Sequence, residues 1–162
     1  MKVRKVLVPL DGSPGAESAL REAVELVGRR EGAALILVRA VDPADISGGS
    51  VGAQVAAINE AGEYLSTVAA QLRTESIDAV RRSVVYAAPG PAIVEIAEAT
   101  RPNLIVMATG RSRRGGRPAP AGVGQFVRER TRLPIVLVTV AETVGEDRPD
   151  RLITDEMEIA HA

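Results

Sequence analysis

A loop rich in glycine and arginine is the segment of this chain best suited to hold a phosphate group. It runs from Met107 to Gly124, between an apolar run at 103–107 and a helix-like segment at 123–132. Glycines let the backbone approach a ligand closely, a helix start offers unpaired N–H groups, and arginines neutralise anionic charge. A surface loop with solvated arginines explains the same residues, and on the loop alone that explanation is slightly favoured.

A second candidate loop follows the first apolar run of the chain. The sequence predicts a strand over 3–9 that ends at a proline, and then a turn at Asp11-Gly12. Ser13-Pro14 is typical of a helix start, with serine as the N-cap and proline at the first helical position. Asp11 is therefore a candidate ligand-facing carboxylate, and an ordinary turn-forming residue is the alternative.

Alternating strand-like and helix-like segments connect the two loops. Strands are predicted at 3–9, 33–41, 80–86, 103–107 and 134–140, with helices between them. This β-α-β order, with right-handed crossovers, predicts an α/β fold: one doubly wound parallel sheet with helices on both faces. Ligands bind such sheets beyond the carboxyl ends of the strands, where the winding reverses. Both loops leave carboxyl ends, and we expect them to form one pocket.

Composition limits the classes of function. The 162 residues, 46% of them apolar, fit one domain with a sizeable core. The absence of cysteine excludes disulfides and thiol chemistry, and His161, the single histidine, gives no support to a catalytic triad or a histidine-bound metal. No segment approaches membrane-spanning length, and the first apolar run is too short for a signal peptide, so we expect a cytoplasmic protein.

Charge separates a core domain from a C-terminal tail. Residues 142–162 carry seven acidic residues against two arginines, a net charge of −5, which leaves 18 basic and 14 acidic residues of the chain's 20 and 21 in 1–141. We therefore predict a domain over 1–141 and an acidic tail over 142–162. Docking of the tail on the domain or on a dimer mate, for example near 111–117, and a disordered tail are equally open.

Nucleic-acid binding is disfavoured despite the arginines at 111–117. The chain contains three aromatic residues, Tyr64, Tyr86 and Phe126, and none of them lies within the arginine cluster. Proteins that bind single strands combine basic side chains with aromatic platforms on which bases stack. The platforms are missing from this segment.

Three segments together resemble the universal stress protein family. Val8-Pro-Leu-Asp-Gly-Ser13 resembles its opening strand and turn, Leu104-Ile-Val-Met-Ala-Thr-Gly-Arg-Ser112 its fourth strand and phosphate loop, and Leu133-Pro-Ile-Val-Leu-Val138 its closing strand. The resemblance covers about residues 2–140. It implies five parallel strands in the order 3-2-1-4-5, which places the two loops side by side.

The resemblance also implies a homodimer, and the closing strand suggests where the two copies meet. In the order 3-2-1-4-5 the run 134–140 lies at a sheet edge, yet it is nearly all apolar and carries no charge. An uncovered edge of this kind is prone to aggregate. We therefore expect a homodimer in which the equivalent strand of a second copy covers it.

An adenine-nucleotide site follows from the resemblance, residue by residue. Asp11 would face the ribose or adenine, Val41 would line the adenine side, and Met107 would form the pocket floor. Arg111 and Ser112 would contact phosphate. The complete predicted set is Pro9, Leu10, Asp11, Val41, Met107, Ala108, Gly110, Arg111, Ser112, Gly122 and Val123. No catalytic residue and no metal ligand of the protein is predicted.

The sequence departs from the family's ATP-binding signature, which is Gly-x-x-Gly, nine residues, and then Gly-Ser or Gly-Thr. Ala108 stands at the first glycine, one residue is missing before Gly110, and the final pair falls on Ala121-Gly122, which removes a hydroxyl. Three functions stay open. The preferred one is a stress-response or signalling dimer that binds ATP or a related adenine nucleotide, with Mg²⁺. The others are a nucleotide-free dimeric scaffold for an unknown protein partner and a slow ATPase, for which no general base is visible.

Overall fold

A parallel sheet between two layers of helices makes up the described part of the chain. The computed structural model describes residues 3–28, 31–75, 77, 79–109, 113–114, 117–118, 122–139 and 159–161. The strands are β1 Lys5–Pro9, β2 Ala34–Ala40, β3 Ala79–Val85, β4 Leu104–Thr109, β5 Arg113–Arg114, β6 Arg117–Pro118, β7 Ile135–Thr139 and β8 Ile159–His161. The helices are α1 Pro14–Val27, α2 Val51–Thr74, α3 Pro89–Thr100 and α4 Val123–Arg130, with a 3-10 turn at Pro43–Asp45.

The strand order of the main sheet is β3-β2-β1-β4-β7-β8. The first five strands are parallel, which confirms the predicted five-stranded sheet in the order 3-2-1-4-5. The sixth, β8, comes from the tail and pairs antiparallel with β7. Strands β5 and β6 form a separate antiparallel pair within the Gly/Arg loop.

Two hydrophobic clusters hold the helices on the sheet. Successive residues of a strand point to opposite faces, so Leu35 and Leu37 of β2 pack with α1 and α2, whereas Ile36 and Val38 pack with α3 and α4. A parallel sheet covered on both faces requires continuous apolar strands. This requirement explains why the central strands read as unbroken apolar runs.

Helix α2 is buried against the sheet over only part of its length. Ser50 caps the helix by accepting a hydrogen bond from the Ala53 N–H over 3.2 Å, and the helix begins at Val51. Val51 and Val55 are 74% and 51% exposed, and the buried face begins only at Ala61. The first turns of α2 therefore extend beyond the layer that packs on the sheet.

The tail contributes residues 159–161 as β8, paired in register with β7. The aligned pairs are Val136 with His161, Leu137 with Ala160, and Val138 with Ile159. The hypothesis that the tail docks near 111–117 falls largely on residues outside the described ranges.

Within the described ranges, no helix combines the length and apolar character that a membrane span requires.

Candidate functional site

The turn after β1 presents the Asp11 carboxylate at the carboxyl end of the strand. The Leu10 N–H donates to the Val38 carbonyl over 2.8 Å, which fixes the end of β1 against β2. The Ser13 N–H donates to Asp11 Oδ1 over 2.8 Å, and Ser13 Oγ in turn accepts from the Ala16 N–H over 3.2 Å. Asp11 thus forms the turn that the sequence suggested. A carboxylate offers two oxygens and several acceptor positions, so it can also accept hydrogen bonds from a ligand.

Strand β4 runs beside β1 and ends next to this turn. Val6 is paired with Leu104 and Leu7 with Ile105. Both strands run in the same direction, so Leu10 and Asp11 of one and Ala108 and Thr109 of the other follow the paired residues toward the same edge of the sheet. The structure therefore brings together the two strand ends from which the candidate loops leave.

The predicted residues of β1 and β4 differ in how much of their surface can face a ligand. Leu10 and Met107 are 2% and 5% exposed, whereas Ala108 and Pro9 are half-buried. Met107 packs in the cluster beneath α3 and α4. Leu10 and Met107 therefore belong to the core at these strand ends, and Asp11 is the exposed polar residue beside them.

Helix α4 begins after Gly122, its N-cap residue, which has a φ of 126°. Among the described residues, no side chain caps the start of this helix, and no atom lies within 4 Å of the position a Cβ would take at Gly122. The backbone conformation favours glycine there. Val123 follows, half-buried against the core. The first N–H groups of a helix have no partner within the helix, and they attract anions.

Three predicted residues, Gly110, Arg111 and Ser112, lie outside the described residues. The structure describes the loop between β4 and α4 at β5 and β6, where Arg113 pairs with Pro118 and Arg114 with Arg117 along the backbone. The phosphate contacts predicted for Arg111 and Ser112 remain predictions.

Sequence reasoning missed a buried arginine beneath the Asp11 turn. Arg39, on β2, is 7% exposed. Its guanidinium carbon lies 4.7 Å from the centre of the Tyr64 ring, and its Nη1 lies 3.3 Å from the position a Cβ would take at Gly12. A single charged residue inside the apolar run 33–41 was the signal that could have revealed it. It places a positive charge under the turn that carries Asp11.

Tyr64 completes this cluster. Burial raises the pKa of the Tyr64 phenol, the nearby carboxylates of Glu17 and Asp11 raise it further, and the Arg39 charge opposes them. Its hydroxyl oxygen is buried and has no hydrogen-bond partner among the described residues. The phenol therefore stays protonated at neutral pH and keeps a hydrogen to donate.

A cleft opens beside the cluster at the carboxyl end of β2. It encloses about 350 Å³ and is lined by Arg39, Ala40, Val41, Asp42, Asp45, Ile46, Ala57 and Glu60. Val41 is 8% exposed, and its N–H donates to the Val85 carbonyl over 2.8 Å, so this group is already used by the sheet. Three carboxylates and one guanidinium make the lining predominantly acidic. The cleft suits groups that donate hydrogen bonds better than it suits phosphate.

A second cleft, of about 430 Å³, lies at the opposite end of the sheet. Among the described residues, its lining comes from the ends of α1 and α2 and from Ile77, and Glu75 is the ionisable side chain of that set. Because α1 starts at the carboxyl edge of the sheet and runs back across it, this cleft is remote from Asp11. Its chemistry gives no reason to treat it as a binding site.

The sequence model of the universal stress protein family matches residues 2–139. The match includes both candidate loops and every described element except β8. No curated protein matches the sequence.

Solved structures resemble this chain over most of its length. The hypothetical protein MJ0577 is 21% identical, with a TM-score of 0.75, and the match covers 88% of this chain and 100% of that one. A universal stress protein in complex with cAMP is 21% identical, with a TM-score of 0.57 and coverage of 86% and 98%. The universal stress protein from Archaeoglobus fulgidus in complex with dAMP is 22% identical, with a TM-score of 0.58 and coverage of 85% and 98%. At these identities the likeness supports the fold.

Proposed function

The chain belongs to the universal stress protein family, and on that premise we propose that it binds ATP or a related adenine nucleotide and acts as a stress-response or signalling dimer. One observation carries the proposal. The Asp11 turn and the end of β4 follow neighbouring parallel strands to the carboxyl edge of the sheet, and helix α4, which no described side chain caps, follows β4 in the chain. This is where open α/β sheets bind ligands.

The charge distribution around the crevice fits the two ends of a nucleotide. Asp42, Asp45 and Glu60 line the cleft near the end of β2, and Asp11 lies at the neighbouring turn. Carboxylates accept hydrogen bonds from ribose hydroxyls and from the amino group of adenine. We therefore assign the nucleoside to the β1–β2 side of the crevice.

The phosphates belong on the other side, next to β4. Among the described residues, no side chain caps the N–H groups at the start of α4, and the sequence places four arginines in the preceding loop, at 111, 113, 114 and 117. Backbone N–H groups and guanidinium groups together bind phosphate oxygens strongly. Mg²⁺ would arrive with the phosphates, because it is typically held by one or two protein ligands, phosphate oxygens and water.

The altered signature lowers the expected affinity. Ala121-Gly122 removes a hydroxyl that the family's signature supplies, and the loop is one residue shorter. Each lost hydrogen bond to a charged group costs about 1.5–3 kcal/mol. Since about 1.4 kcal/mol is a factor of ten, we expect a dissociation constant between the micromolar and millimolar ranges.

The complexes with cAMP and dAMP support the choice of an adenine nucleotide. Each belongs to another protein of the same fold, and each ligand carries one phosphate. We therefore propose a class of ligand, the adenine nucleotides, with ATP as one member, and not a single compound.

The proposed assembly is a homodimer joined along 134–140. The argument is the apolar, uncharged sequence of β7, at an edge that the five parallel strands alone leave open and that β8 occupies in this structure. The cytoplasmic location, the unidentified protein partner, and the separate status of 142–162 as an appended tail remain predictions from the sequence.

Two other functions are retained as outcomes of the test. A nucleotide-free scaffold of the same family would keep the dimer and leave the crevice empty. A slow ATPase would need a group that activates water.

Co-purified ligand gives the first test of the proposal. The protein is purified without added nucleotide and denatured, and the released fraction is identified by ultraviolet spectrum and mass spectrometry. We expect an adenine nucleotide, or, if none survives purification, a rise in melting temperature in millimolar Mg-ATP. If no nucleotide is released and Mg-ATP does not change the melting temperature, the scaffold is favoured. Rapid stoichiometric release of phosphate would favour an enzyme.

A further inference from the structure

The two edges of the sheet are protected in different ways. Arg81 and Arg82 are exposed on β3, at one edge, and charged side chains discourage pairing with another strand. At the other edge, β7 carries Ile135-Val-Leu-Val-Thr139 and no charge. Protection at that edge comes from β8.

The hydrogen-bonding direction of β7 identifies the residues that β8 covers. The Ile105 N–H donates to the Pro134 carbonyl over 3.0 Å. Because the N–H and C=O groups of alternate residues point to the same side of a strand, those of Val136 point toward β4 and those of Leu137 point outward. Leu137 is aligned with Ala160. This is the pair whose backbone groups face each other across the β7–β8 ladder.

The sequence of β8 suits this position. Ile159, Ala160 and His161 follow directly on an acidic stretch, Asp155-Glu-Met-Glu158, and form an uncharged, proline-free segment. A strand of three residues has little stability alone. It forms only with an edge that supplies backbone partners, and β7 is such an edge.

We propose that β8 is an intramolecular cap, and that it competes with a second copy of this chain for the edge of β7. The dimer proposed above needs the outward N–H and C=O groups of Leu137, and β8 occupies the same groups. The cap therefore prevents β7 of a second copy from pairing with this edge. Dimerisation then depends on how often the cap is open.

An edge-to-edge dimer needs an open β7 edge on both copies. The apparent dimer affinity therefore depends on the square of the fraction of molecules in which the cap is open. A binding-competent state populated in a fraction of molecules lowers apparent affinity by that fraction. If the cap is open in about one molecule in ten, each copy lowers the apparent dimer affinity by about tenfold, and the two copies lower it by about 100-fold. Even a short strand can therefore control assembly.

The test compares two substitutions of one residue in the full chain. Ala160→Pro removes the N–H that faces Leu137, whereas Ala160→Val keeps it and suits a strand. Residue 160 lies outside the family match over 2–139, and chemical denaturation of both variants checks that the rest of the fold is retained. Sedimentation equilibrium gives the dimer dissociation constant of each protein, and hydrogen exchange gives the protection of the Leu137 amide.

We expect Ala160→Pro to dimerise about 100-fold more tightly than the wild type and Ala160→Val to resemble the wild type. At concentrations where both are monomeric, the Leu137 amide should exchange faster in Ala160→Pro. Equal dimer constants in all three proteins would overturn the cap and leave the dimer edge standing. Monomers at every concentration would overturn both the cap and the proposed dimer.

Discussion

The crevice and the β7 edge lie on adjacent parts of one sheet, but they are built from different groups. The proposed crevice would combine the side chains of Asp11, Arg39 and Tyr64 with the start of α4. The edge consists of the backbone N–H and C=O groups of β7, a strand without charged side chains. A ligand site can thus be altered by changing one functional group, whereas an edge is altered by inserting a charge or by removing an N–H.

This difference predicts that the two regions can be disrupted separately. Changes in the crevice should alter nucleotide affinity and leave molecular mass unchanged. Changes at the edge should alter mass and leave nucleotide affinity unchanged. Any variant that changes both quantities together would show that the regions are coupled.

The largest effect is expected at the edge, from Val136→Lys. Two copies would each bring a lysine into the shared strand pair, where like charges repel. We expect the dimer dissociation constant to rise about 100-fold, which corresponds to about 2.7 kcal/mol. Sedimentation equilibrium measures it.

Val136→Ala is the matched control, because Val136 is half-buried and packs against the core. Alanine removes the packing without adding a charge. If alanine weakens the dimer as strongly as lysine, the effect comes from the core and not from the edge.

The next largest effect is expected from Gly90→Ala, which changes the contact between α3 and α4 and should lower the stability of the fold. A Cβ at Gly90 would lie 2.7 Å from Cδ1 of Phe126, a residue of α4. The ring would have to shift, so Gly90→Ala should lower the free energy of unfolding by about 1–3 kcal/mol. Because α4 starts at the crevice, nucleotide affinity should fall as well. Chemical denaturation and calorimetry measure the two quantities.

Gly62→Ala provides the control within α2. Its Cβ would meet no atom within 4 Å, and alanine is a better helix former than glycine by about 1 kcal/mol. We expect greater stability and no change in nucleotide affinity. A loss of stability at Gly62 would mean that glycine replacement is harmful for reasons other than the Phe126 contact.

The smallest effect is expected at Tyr64, and it depends on pH. Phenylalanine keeps the ring that contacts Arg39 and removes a buried hydroxyl without a described partner. At neutral pH, Tyr64→Phe should leave the free energy of unfolding unchanged or raise it by up to about 1 kcal/mol. A larger loss of stability would show that the hydroxyl has a partner.

The sign of the pH effect follows from the raised pKa of Tyr64. In the unfolded chain the phenol loses its proton near the usual value of 10.0, whereas the folded protein holds it to higher pH. The stability from this group is therefore present below pH 10 and is lost as pH rises through the folded pKa. In Tyr64→Phe, the free energy of unfolding should therefore fall less between pH 8 and pH 11 than in the wild type. Parallel denaturation curves of the two proteins from pH 8 to pH 11 measure it, and identical declines would contradict the assignment.

Local sequence patterns were sufficient for most of the fold. Apolar runs predicted the parallel strands, and Ser13-Pro14 predicted the start of α1 because capping is a local interaction. The strand order required the family resemblance. Helical spacing at Val55 and Ile58 shows that a face is apolar, but it does not show whether the sheet extends far enough to bury that face, and both residues are exposed.

The crevice and the edge were less predictable, for physical reasons. Arg39 and Tyr64 meet only because α2 packs over β2, and no local pattern encodes that contact. Strand β8 is three residues long, too short for a periodic signal, and its partner is distant in the sequence. Asp11 was predicted correctly as a turn former, and its role toward a ligand remains a prediction.

The central claim is that the crevice beside Asp11 binds an adenine nucleotide, and titration calorimetry with Mg-ATP tests it most directly. The wild type is compared with Asp11→Asn, which can still accept the hydrogen bond from Ser13, and with Asp11→Ala, which cannot. We expect binding by the wild type, an affinity about tenfold lower in Asp11→Asn with unchanged stability, and a larger loss in Asp11→Ala. No heat of binding in the wild type at millimolar Mg-ATP, or equal affinities in all three proteins, would contradict the claim.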